Sequence, residues 1–353
     1  MSAITNDLNL TIDTYTYTGY APCDCLFFDI ETTGFSPRTT QVYLIGCVYF
    51  KDNKWQSRQW FAADLESETE ILIDFFNFMN NYKVLIHFNG DGFDIPYLKE
   101  RLELKKIECN ISIPESIDLF KTVSQCKKYL KLENYKQKTV ETFFDIVRED
   151  KYSGGELINV YFNYQKNHDS ESFELLMLHN LDDIKGMTAL LPVISYKKLI
   201  DGAFSFESVT RNENELIFSC RLHNELKKRV SLGYNDFYIT AYKNTLKIRV
   251  KIYSGELKYF YRNYKDYYYL PAEDMAMHKS VAFYVDKDFR TRAKAANCYS
   301  RKSGIFIPQL SEIMPTYFKA DYNDKTMYIE LSDDFFNNNE LIYRYLLDII
   351  KAV

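Results

Sequence analysis

Hydrophobic runs long enough to cross a membrane are missing from this 353-residue sequence, since a spanning helix needs about 20 apolar residues in succession. The first residues, MSAITNDLNLTIDTYTY, have neither a basic start nor a continuous apolar core, so we expect no signal peptide. Internal repeats and low-complexity stretches are missing too, and tryptophan occurs only twice. With 46% hydrophobic and 26% charged residues, the composition predicts a soluble globular protein of about two domains.

Cysteine pairs of the kind that bind structural zinc are also missing. The seven cysteines include one close pair, Cys23 and Cys25, but no C-x-x-C spacing. An odd number of cysteines without a secretory signal is typical of reduced thiols in a cytoplasmic protein. We therefore expect a cytoplasmic protein whose cysteines are reduced and mostly buried, and we expect no structural zinc.

The charge balance gives no general attraction to nucleic acid, because the net charge is −5. The distribution is uneven, however. Residues 1–200 contain 21 Lys and Arg against 29 Asp and Glu, and residues 201–353 contain 23 against 20. An acidic half followed by a basic half fits a metal-dependent site beside a phosphate-binding surface. A difference of this size also arises by chance.

Hydrophobic periodicity predicts an α/β arrangement in the first part of the chain. Three strands joined by tight turns indicate an antiparallel meander, and a later apolar strand is expected to pair in parallel with the first. A short strand follows, and then almost continuous helix. The predicted strands cover 25–30, 41–50, 54–62, 83–88 and 108–113; the predicted helices cover 67–80, 94–104 and most of 115–191.

Near residue 200 the pattern changes to the alternation of β-strands, with one helix at the end of the chain. The second part is therefore predicted to be a β-rich α+β domain. Its strands are expected within 215–222, 236–264 and 326–331. The predicted organisation is an N-terminal arm (1–22), a first domain (23–198) and a second domain (205–353).

Three short stretches carry acidic residues in positions that suggest chemistry. Asp29 and Glu31 end the first predicted strand two positions apart, so both side chains lie on one face. Two adjacent carboxylates cost free energy unless a cation binds them, and Mg²⁺ prefers such oxygen ligands. Asp94 follows the fourth predicted strand at a helix start, with Asp91 a weaker candidate. A charged turn and a helix N-cap are the structural alternatives for these two stretches.

The third stretch is LHNLDDIKGM, in a predicted helix. His179 and Asp183 lie one turn apart on the same helix face. Asp182 is rotated by about 100° from Asp183 and cannot serve the same site equally well. An ordinary surface pair of His179 and Asp183 is the structural alternative.

DIETTG (29–34), FNGDGFDIPYL (88–98) and HNLDDI (179–184) together resemble, in order, the three motifs of the DEDD-type 3′–5′ exonucleases. These enzymes belong to the ribonuclease H-like superfamily. The resemblance covers about residues 23–195 and is greatest to the bacterial YprB-type ribonuclease H-like proteins. It implies a mixed sheet, with three antiparallel strands and then parallel strands, flanked by helices.

The resemblance also implies which residues carry the activity. It assigns two Mg²⁺ or Mn²⁺ ions to Asp29, Glu31, Asp94 and Asp183. Two such ions can activate a water and stabilise the leaving oxygen during attack on phosphorus. His179 is the implied general base or water-orienting residue. Here the sequence departs from the pattern. Members with a histidine usually have four residues between it and the last aspartate, and members with three intervening residues usually have a tyrosine instead. This chain has a histidine with three intervening residues.

Further residues are candidates for contacts with nucleic acid. In the first domain they follow the motifs: Thr32, Thr33, Gly34, Asn89 and Phe93. In the second domain, Arg290, Arg292 and Lys294 stand in a basic stretch near many tyrosines, and such groups neutralise phosphates and stack on bases. A solvated basic helix beside a half-buried tyrosine-rich strand is the structural alternative.

The sequence thus predicts a metal-dependent nuclease, most simply a 3′–5′ exonuclease that acts on single-stranded 3′ ends of DNA or RNA. Two alternatives stay open. One is a nucleic-acid-binding module that has lost activity, although the complete set of four carboxylates argues against it. The other is a structure-selective endonuclease that uses the same metal chemistry.

Overall fold

The computed structural model describes residues 2–64, 66–108, 114–149, 152 and 154–353. The chain divides into two compact units, residues 1–198 and 199–353. The strand predicted over 108–113 lies, apart from its first residue, outside the described residues.

Within its described residues, the first unit contains six strands and most of the helices. Its strands are β1 (Ser2–Leu8), β2 (Cys25–Thr32), β3 (Val42–Lys51), β4 (Lys54–Phe61), β5 (Val84–His87) and β6 (Glu115–Asp118). Its helices are α1 (Thr14–Thr18), α2 (Ser67–Met79), α3 (Asp94–Lys105), α4 (Leu119–Gln125), α5 (Lys127–Leu130), α6 (Gln137–Phe143), α7 (Gly154–Asn167), α8 (Ser170–Ala189) and, at the end of the unit, α9 (Val193–Ile200).

The six strands form one mixed sheet in the order β1-β4-β3-β2-β5-β6. Strands β2, β3 and β4 pair antiparallel, and β5 pairs in parallel with both β2 and β6. The predicted fold class is confirmed. Strand β1, from the segment predicted as an arm, lies antiparallel to β4 at the edge of the sheet.

Helices cover both faces of this sheet. Side chains alternate along each strand, so the buried strands present apolar residues to helices on both sides. Leu26 and Phe28 of β2 share a buried cluster with residues of α2 and α3. On the other face, Tyr43 of β3 stacks on Tyr161 of α7 at 4.2 Å between ring centroids. Each fully buried side chain of this size contributes about 1.5–3 kcal/mol. The odd-numbered residues at the end of β2, among them Asp29, therefore lie on the face of the sheet that α8 covers.

One prediction for this unit is wrong: residues 115–191 are not almost entirely helical, because Glu115–Asp118 form β6. The strand has a single large apolar residue, Ile117, so its sequence lacks the usual strand signal. Asp118 caps α4 by accepting hydrogen bonds from the N–H groups of Phe120 and Lys121. That capping aspartate marks the true helix start.

The second unit consists mostly of strands. These are β7 (Phe204–Arg211), β8 (Glu215–Tyr234), β9 (Phe237–Lys251), β10 (Tyr253–Phe260), β11 (Tyr267–Leu270), β12 (Met275–His278), β13 (Thr291–Arg292), β14 (Tyr299–Gln309) and β15 (Met327–Glu330). Its helices are α10 (Lys279–Ala282), α11 (Asp333–Phe336) and α12 (Asn339–Ala352).

These strands form three small sheets, β7-β8-β9, β10-β14-β15 and β12-β11-β13. Helix α12 packs against β7 and β9, and its Tyr345 hydroxyl donates a hydrogen bond to the Pro308 carbonyl at 2.7 Å. The β-rich α+β prediction is confirmed. Strand β8 continues 12 residues beyond the predicted segment, across two register shifts in its pairing with β9.

The described residues allow two further statements. None of their helices combines the length and apolarity needed to span a bilayer. Their six cysteines are free thiols, and all except Cys23 are buried. This agrees with the predicted state of the cysteines.

Candidate active site

The site begins at the end of β2, where Asp29 and Glu31 point toward α8. Asp29 lies opposite Gly46 of β3. Its Oδ2 accepts a hydrogen bond of 3.3 Å from the side-chain amide of Asn180. Any side chain at position 46 would block this approach, since a Cβ there would lie 1.9 Å from Asn180 Oδ1. Gly46 therefore lets α8 bring Asn180 down to the sheet.

Asp94 reaches the same end of β2 from α3. It is the first residue of that helix, and only 5% of it is exposed. Its Oδ1 accepts a hydrogen bond of 3.3 Å from the Ile30 N–H. The N-cap alternative is wrong, because the cap position belongs to Phe93 and the Asp94 carboxylate binds the neighbouring strand.

Helix α8 supplies His179 and Asp183 on one face, as their spacing predicts. His179 Nε2 lies 3.5 Å from Glu31 Oε1 and 3.3 Å from Asp183 Oδ2. The imidazole is buried, so the surface-pair alternative is wrong. Asp182 points elsewhere and accepts a hydrogen bond of 2.8 Å from the Glu149 N–H.

We call Asp29, Glu31, Asp94 and Asp183 the acidic cluster. Burial raises the pKa of Asp29 well above its usual range, and the charges of Asp94, Asp183 and Glu31 raise it further. Burial also raises the pKa of Asp94 to about 7, despite hydrogen bonds from backbone N–H groups. Both shifts mean that the ionised carboxylates are under-compensated by the protein itself.

This arrangement suits hard divalent cations. Glu31, His179 and Asp183 can each offer a ligand atom within 4.8 Å of the others. Carboxylate oxygens are the ligands that Mg²⁺ and Mn²⁺ prefer. Four carboxylates also match the charge of two such ions. The donor set and the raised pKa values of Asp29 and Asp94 therefore fit a metal site.

Three residues of this region were not predicted from the sequence. Arg148 forms an ion pair with Glu141, with Nη2 3.1 Å from Oε1, and the same Nη2 donates to Asp183 Oδ1. Asn180 lies within the predicted third motif, next to His179. The motif therefore located it but did not predict that it binds Asp29. Arg148 and Glu141 belong to no motif, so the sequence offers no signal for them.

The remaining first-domain candidates mostly shape the loops of the site. Thr32 Oγ1 donates to the Gly34 carbonyl, and the Thr33 N–H donates to the Gln41 carbonyl. Phe93 packs on Tyr97 at 5.4 Å between ring centroids.

Asn89 differs from these candidates, because it is exposed and adopts a positive φ of 67°. Its N–H donates to Asp118 Oδ1 at 2.9 Å. Its side chain lies at the surface of the turn that leads from β5 to Asp94.

In the second unit, the basic candidates do not lie on a helix. Arg292 is in the two-residue strand β13, and short 3₁₀ turns flank that strand. The solvated-helix alternative is therefore wrong. Arg290 donates to the Ala282 carbonyl and lies 4.8 Å from the centre of the Tyr268 ring, whereas Arg292 and Lys294 are exposed.

A second group of potential ligands lies at the ends of β5 and β6. We call His87, Asp91 and Asp118 the histidine–aspartate cluster. His87 Nδ1 accepts a hydrogen bond of 3.0 Å from the Gly90 N–H, so the proton of the neutral ring is on Nε2. Nε2 lies 2.8 Å from Ser116 Oγ and has no lone pair to offer a metal.

The acidic residues of this second group have protein partners. Asp91 binds Ser116 Oγ and Lys121 Nζ, each at 2.5 Å. Burial acts to raise the pKa of Asp91, but the hydrogen bonds from Lys121 and Ser116 hold it below its usual value. Asp118 Oδ1 accepts backbone N–H bonds, while its buried Oδ2 has no hydrogen-bond partner.

Comparison with known protein families gives one match, which lies within the first unit. Residues 26–194 match the sequence model of a family described as RNase_H superfamily. The first unit has the ribonuclease H-like fold. No curated protein sequence matches the chain.

Solved structures similar to this chain include a family B DNA polymerase from the archaeon Pyrobaculum calidifontis, with 14% identity and a TM-score of 0.39 over 70% of this chain and 35% of that one. A zinc-bound complex of Escherichia coli ExoI with single-stranded DNA has 10% identity and a TM-score of 0.32, over 55% and 53%. An ExoI/SSB-Ct complex has 8% identity and a TM-score of 0.33, over 62% and 55%. The chain thus spans between 35% and 55% of the length of these structures.

Proposed function

We propose that this protein is a metal-dependent nuclease, and specifically a 3′–5′ exonuclease that hydrolyses phosphodiester bonds of DNA or RNA. One observation carries the proposal. Asp29, Glu31, Asp94 and Asp183, which are far apart in the sequence, converge at one end of a ribonuclease H-like sheet. The raised pKa values of Asp29 and Asp94 mean that the protein itself stabilises their ionised forms poorly, and a bound cation would supply that stabilisation.

The acidic cluster would hold two Mg²⁺ or Mn²⁺ ions. When bound, these ions supply Lewis acidity: they lower the pKa of an attacking water and stabilise the charge that develops on the phosphate. They also give an acidic surface a local attraction for a polyanion.

The protein's own side chains set the positions of these ligands. Asn180 donates to Asp29 Oδ2, and the Ile30 N–H donates to Asp94 Oδ1. His179 Nε2 lies between Glu31 and Asp183, where a proton on that atom can be shared with either carboxylate. In this position His179 orients the two ligands. Action as a general base requires that Nε2 be free of its proton and turned toward a water.

Single-stranded 3′ ends are the proposed substrate. Among the first-domain candidates, the exposed Asn89 side chain is available for contact with a sugar or base. In the second unit, Arg292 and Lys294 are exposed and would contact phosphates, while Arg290 supports the fold around Tyr268. Charge reversal at Arg292 and Lys294 should weaken binding of single strands and reduce its salt dependence. Unchanged binding would remove the second unit from this role.

Labelled oligonucleotides test the activity. Single strands with a label at the 5′ end, at the 3′ end or at an internal position are incubated with Mn²⁺ and the wild-type protein. Stepwise loss of single nucleotides from the 3′ end is the expected result, and Asp29→Asn should abolish it. Loss from the 5′ end would contradict the proposed polarity.

The same assay decides between the proposal and its two alternatives. Internal cuts with intact ends would indicate a structure-selective endonuclease. Retained binding without any cleavage by the wild type would indicate an inactive binding module.

A further inference from the structure

Arg148 places a positive charge within the acidic site. The residue follows α6, and its side chain is 10% exposed. Nε and Nη2 bind the carboxylate of Glu141, and Nη2 also donates to Asp183 Oδ1. Its charge reaches further into the cluster, because Arg148 acts to lower the pKa of Asp29. Arg148 thus lies beside the carboxylates proposed to bind metal.

One donor of this guanidinium is buried and unused. Among the residues that the structure describes, none accepts a hydrogen bond from Nη1 of Arg148. A buried donor without a partner costs about 1–3 kcal/mol, and more when it is charged. A guanidinium with a spare donor can bind one further acceptor. A guanidinium beside a metal-binding cluster is suited to a phosphate oxygen, which it recognises by shape and charge.

A second buried arginine, Arg101, differs from Arg148 in how its donors are used. Arg101 binds Glu68 through Nε at 2.8 Å and through Nη2, and its side chain is 11% exposed. Its Nη1 donates to the Pro37 carbonyl at 2.7 Å. Arg101 is therefore satisfied by the protein, whereas Arg148, in an equivalent ion pair, is not.

Glu141 keeps the charge of the site suitable for metal. It is 1% exposed and pairs with Arg148, so a carboxylate outside the acidic cluster balances the charge of that arginine. Gly186 of α8 makes this possible, because a Cβ there would lie 2.1 Å from Glu141 Oε1. Glu141 is thus buried against α8, where it binds Arg148.

We propose that the guanidinium of Arg148 binds the phosphate of the nucleotide at the cleavage site, with Glu141 as the residue that positions it. The inference rests on the proposed nuclease function, and it adds a substrate-binding residue that lies outside the three motifs. The competing explanation is that Arg148 only joins the segment after α6 to α8.

Calorimetric titrations test the proposal on folded, full-length protein. Mn²⁺ is titrated first, and 5′-dAMP is then titrated in the presence of Mn²⁺. The variants are Arg148→Gln, Arg148→Lys and the matched control Arg101→Gln. A double variant, Glu141→Gln with Arg148→Gln, removes both charges and leaves no unpaired buried carboxylate if Arg148→Gln alone fails to fold.

The expected result is that Arg148→Gln and the double variant still bind Mn²⁺ but lose about 10- to 100-fold in affinity for 5′-dAMP, the range for one charged hydrogen bond. Arg148→Lys should fall between wild type and Arg148→Gln. Arg101→Gln should keep wild-type affinity for 5′-dAMP. With a labelled oligonucleotide, the Arg148 variants should show a raised KM.

Two different failures can be told apart. If wild type binds Mn²⁺ and cleaves, but the Arg148 variants bind 5′-dAMP as wild type does, the role of Arg148 is overturned and the nuclease function stands. An equal loss in Arg101→Gln would also overturn it, because a general structural effect would then explain both. If wild type neither binds Mn²⁺ nor cleaves, both proposals fail.

Discussion

Two groups of carboxylates lie at the ends of neighbouring strands, and they differ in what the protein offers their oxygens. In the histidine–aspartate cluster, Asp91 is bound by Lys121 and Ser116, and its pKa is held low. In the acidic cluster, burial and mutual repulsion raise the pKa values of Asp29 and Asp94. Both groups can supply oxygen ligands to a cation, but the carboxyl groups with raised pKa values belong to the acidic cluster.

The difference teaches how a metal site can be recognised in a protein without its metal. Proximity of acidic residues is not sufficient, because hydrogen bonds and a lysine can stabilise the ionised form of such a residue, as they do at Asp91. The direction of the pKa shift separates the cases, since it reports whether the protein stabilises the charged form. Asp118, a member of the histidine–aspartate cluster, also acts on the acidic cluster: its Oδ2 has no hydrogen-bond partner among the described residues, and its charge contributes to the raised pKa of Asp94.

The largest expected effect is loss of nuclease activity when the acidic cluster is changed. Asp29→Asn and Asp183→Asn should each reduce cleavage by more than about 100-fold, since changes in the residues that merely support metal ligands already cost 10- to 100-fold. Asp91→Asn is the matched control and should retain most of the activity. Rates of nucleotide release from an end-labelled single strand give the comparison, and equal losses in Asp91→Asn and Asp29→Asn would refute the distinction.

Metal binding should stabilise the fold through the acidic cluster alone. A ligand at 100 times its Kd adds about 2.7 kcal/mol to the stability of the state that binds it. Mn²⁺ should therefore raise the Tm of wild type and of Asp91→Asn, but not that of Asp29→Asn. Thermal unfolding with and without Mn²⁺ measures this. A metal-induced shift that Asp91→Asn loses would move the site to the other cluster.

The pH dependence of stability should have opposite signs for the two groups. The pKa of Asp94 rises from 3.8 in an exposed carboxyl to about 7 in the fold, so folding favours its protonated form. Without metal, stability should fall between pH 4 and 7, by an amount on the order of a few kcal/mol, and Asp94→Asn should flatten this fall. Asp91 acts conversely: it stabilises above its unfolded pKa, and this contribution is lost at lower pH. Urea unfolding across this pH range would measure both contributions. If the free energy of unfolding of Asp94→Asn changed with pH as that of wild type does, burial would not raise the pKa of Asp94.

The smallest effects are expected from the two buried histidines. His179→Gln should lower the cleavage rate by about 10-fold, the lower end for a residue that orients metal ligands. His87→Gln should leave activity intact and lower stability by about 1–3 kcal/mol, because it leaves hydrogen-bonding groups unpaired. Cleavage kinetics and urea unfolding of both variants separate the roles. A His87→Gln protein that folds normally but is inactive would reverse the assignment.

Most of the first unit's architecture could be predicted from its sequence. Strands β2 to β5 have strong hydrophobic runs bounded by turns, and α8 has the spacing that brings His179 and Asp183 to one face. The short strand β6 was missed because Ile117 is its one large apolar residue. In the second unit, the end of β8 was missed because two register shifts interrupt its alternation.

The candidate site could be predicted only where its residues belong to motifs. Asp29, Glu31, Asp94 and Asp183 are adjacent to strong strand or helix signals, and the structure brings them together. Arg148 and Glu141 could not be predicted, since a single arginine and a single glutamate carry no spacing pattern. Their roles arise from tertiary packing, in which Gly186 admits Glu141 to the surface of α8.

Anomalous diffraction from crystals soaked in Mn²⁺ and 5′-dAMP tests the central claim most directly. We predict manganese peaks among Asp29, Glu31, Asp94 and Asp183, and none at His87, Asp91 and Asp118. A peak at the histidine–aspartate cluster, with none among the four carboxylates, would contradict this account.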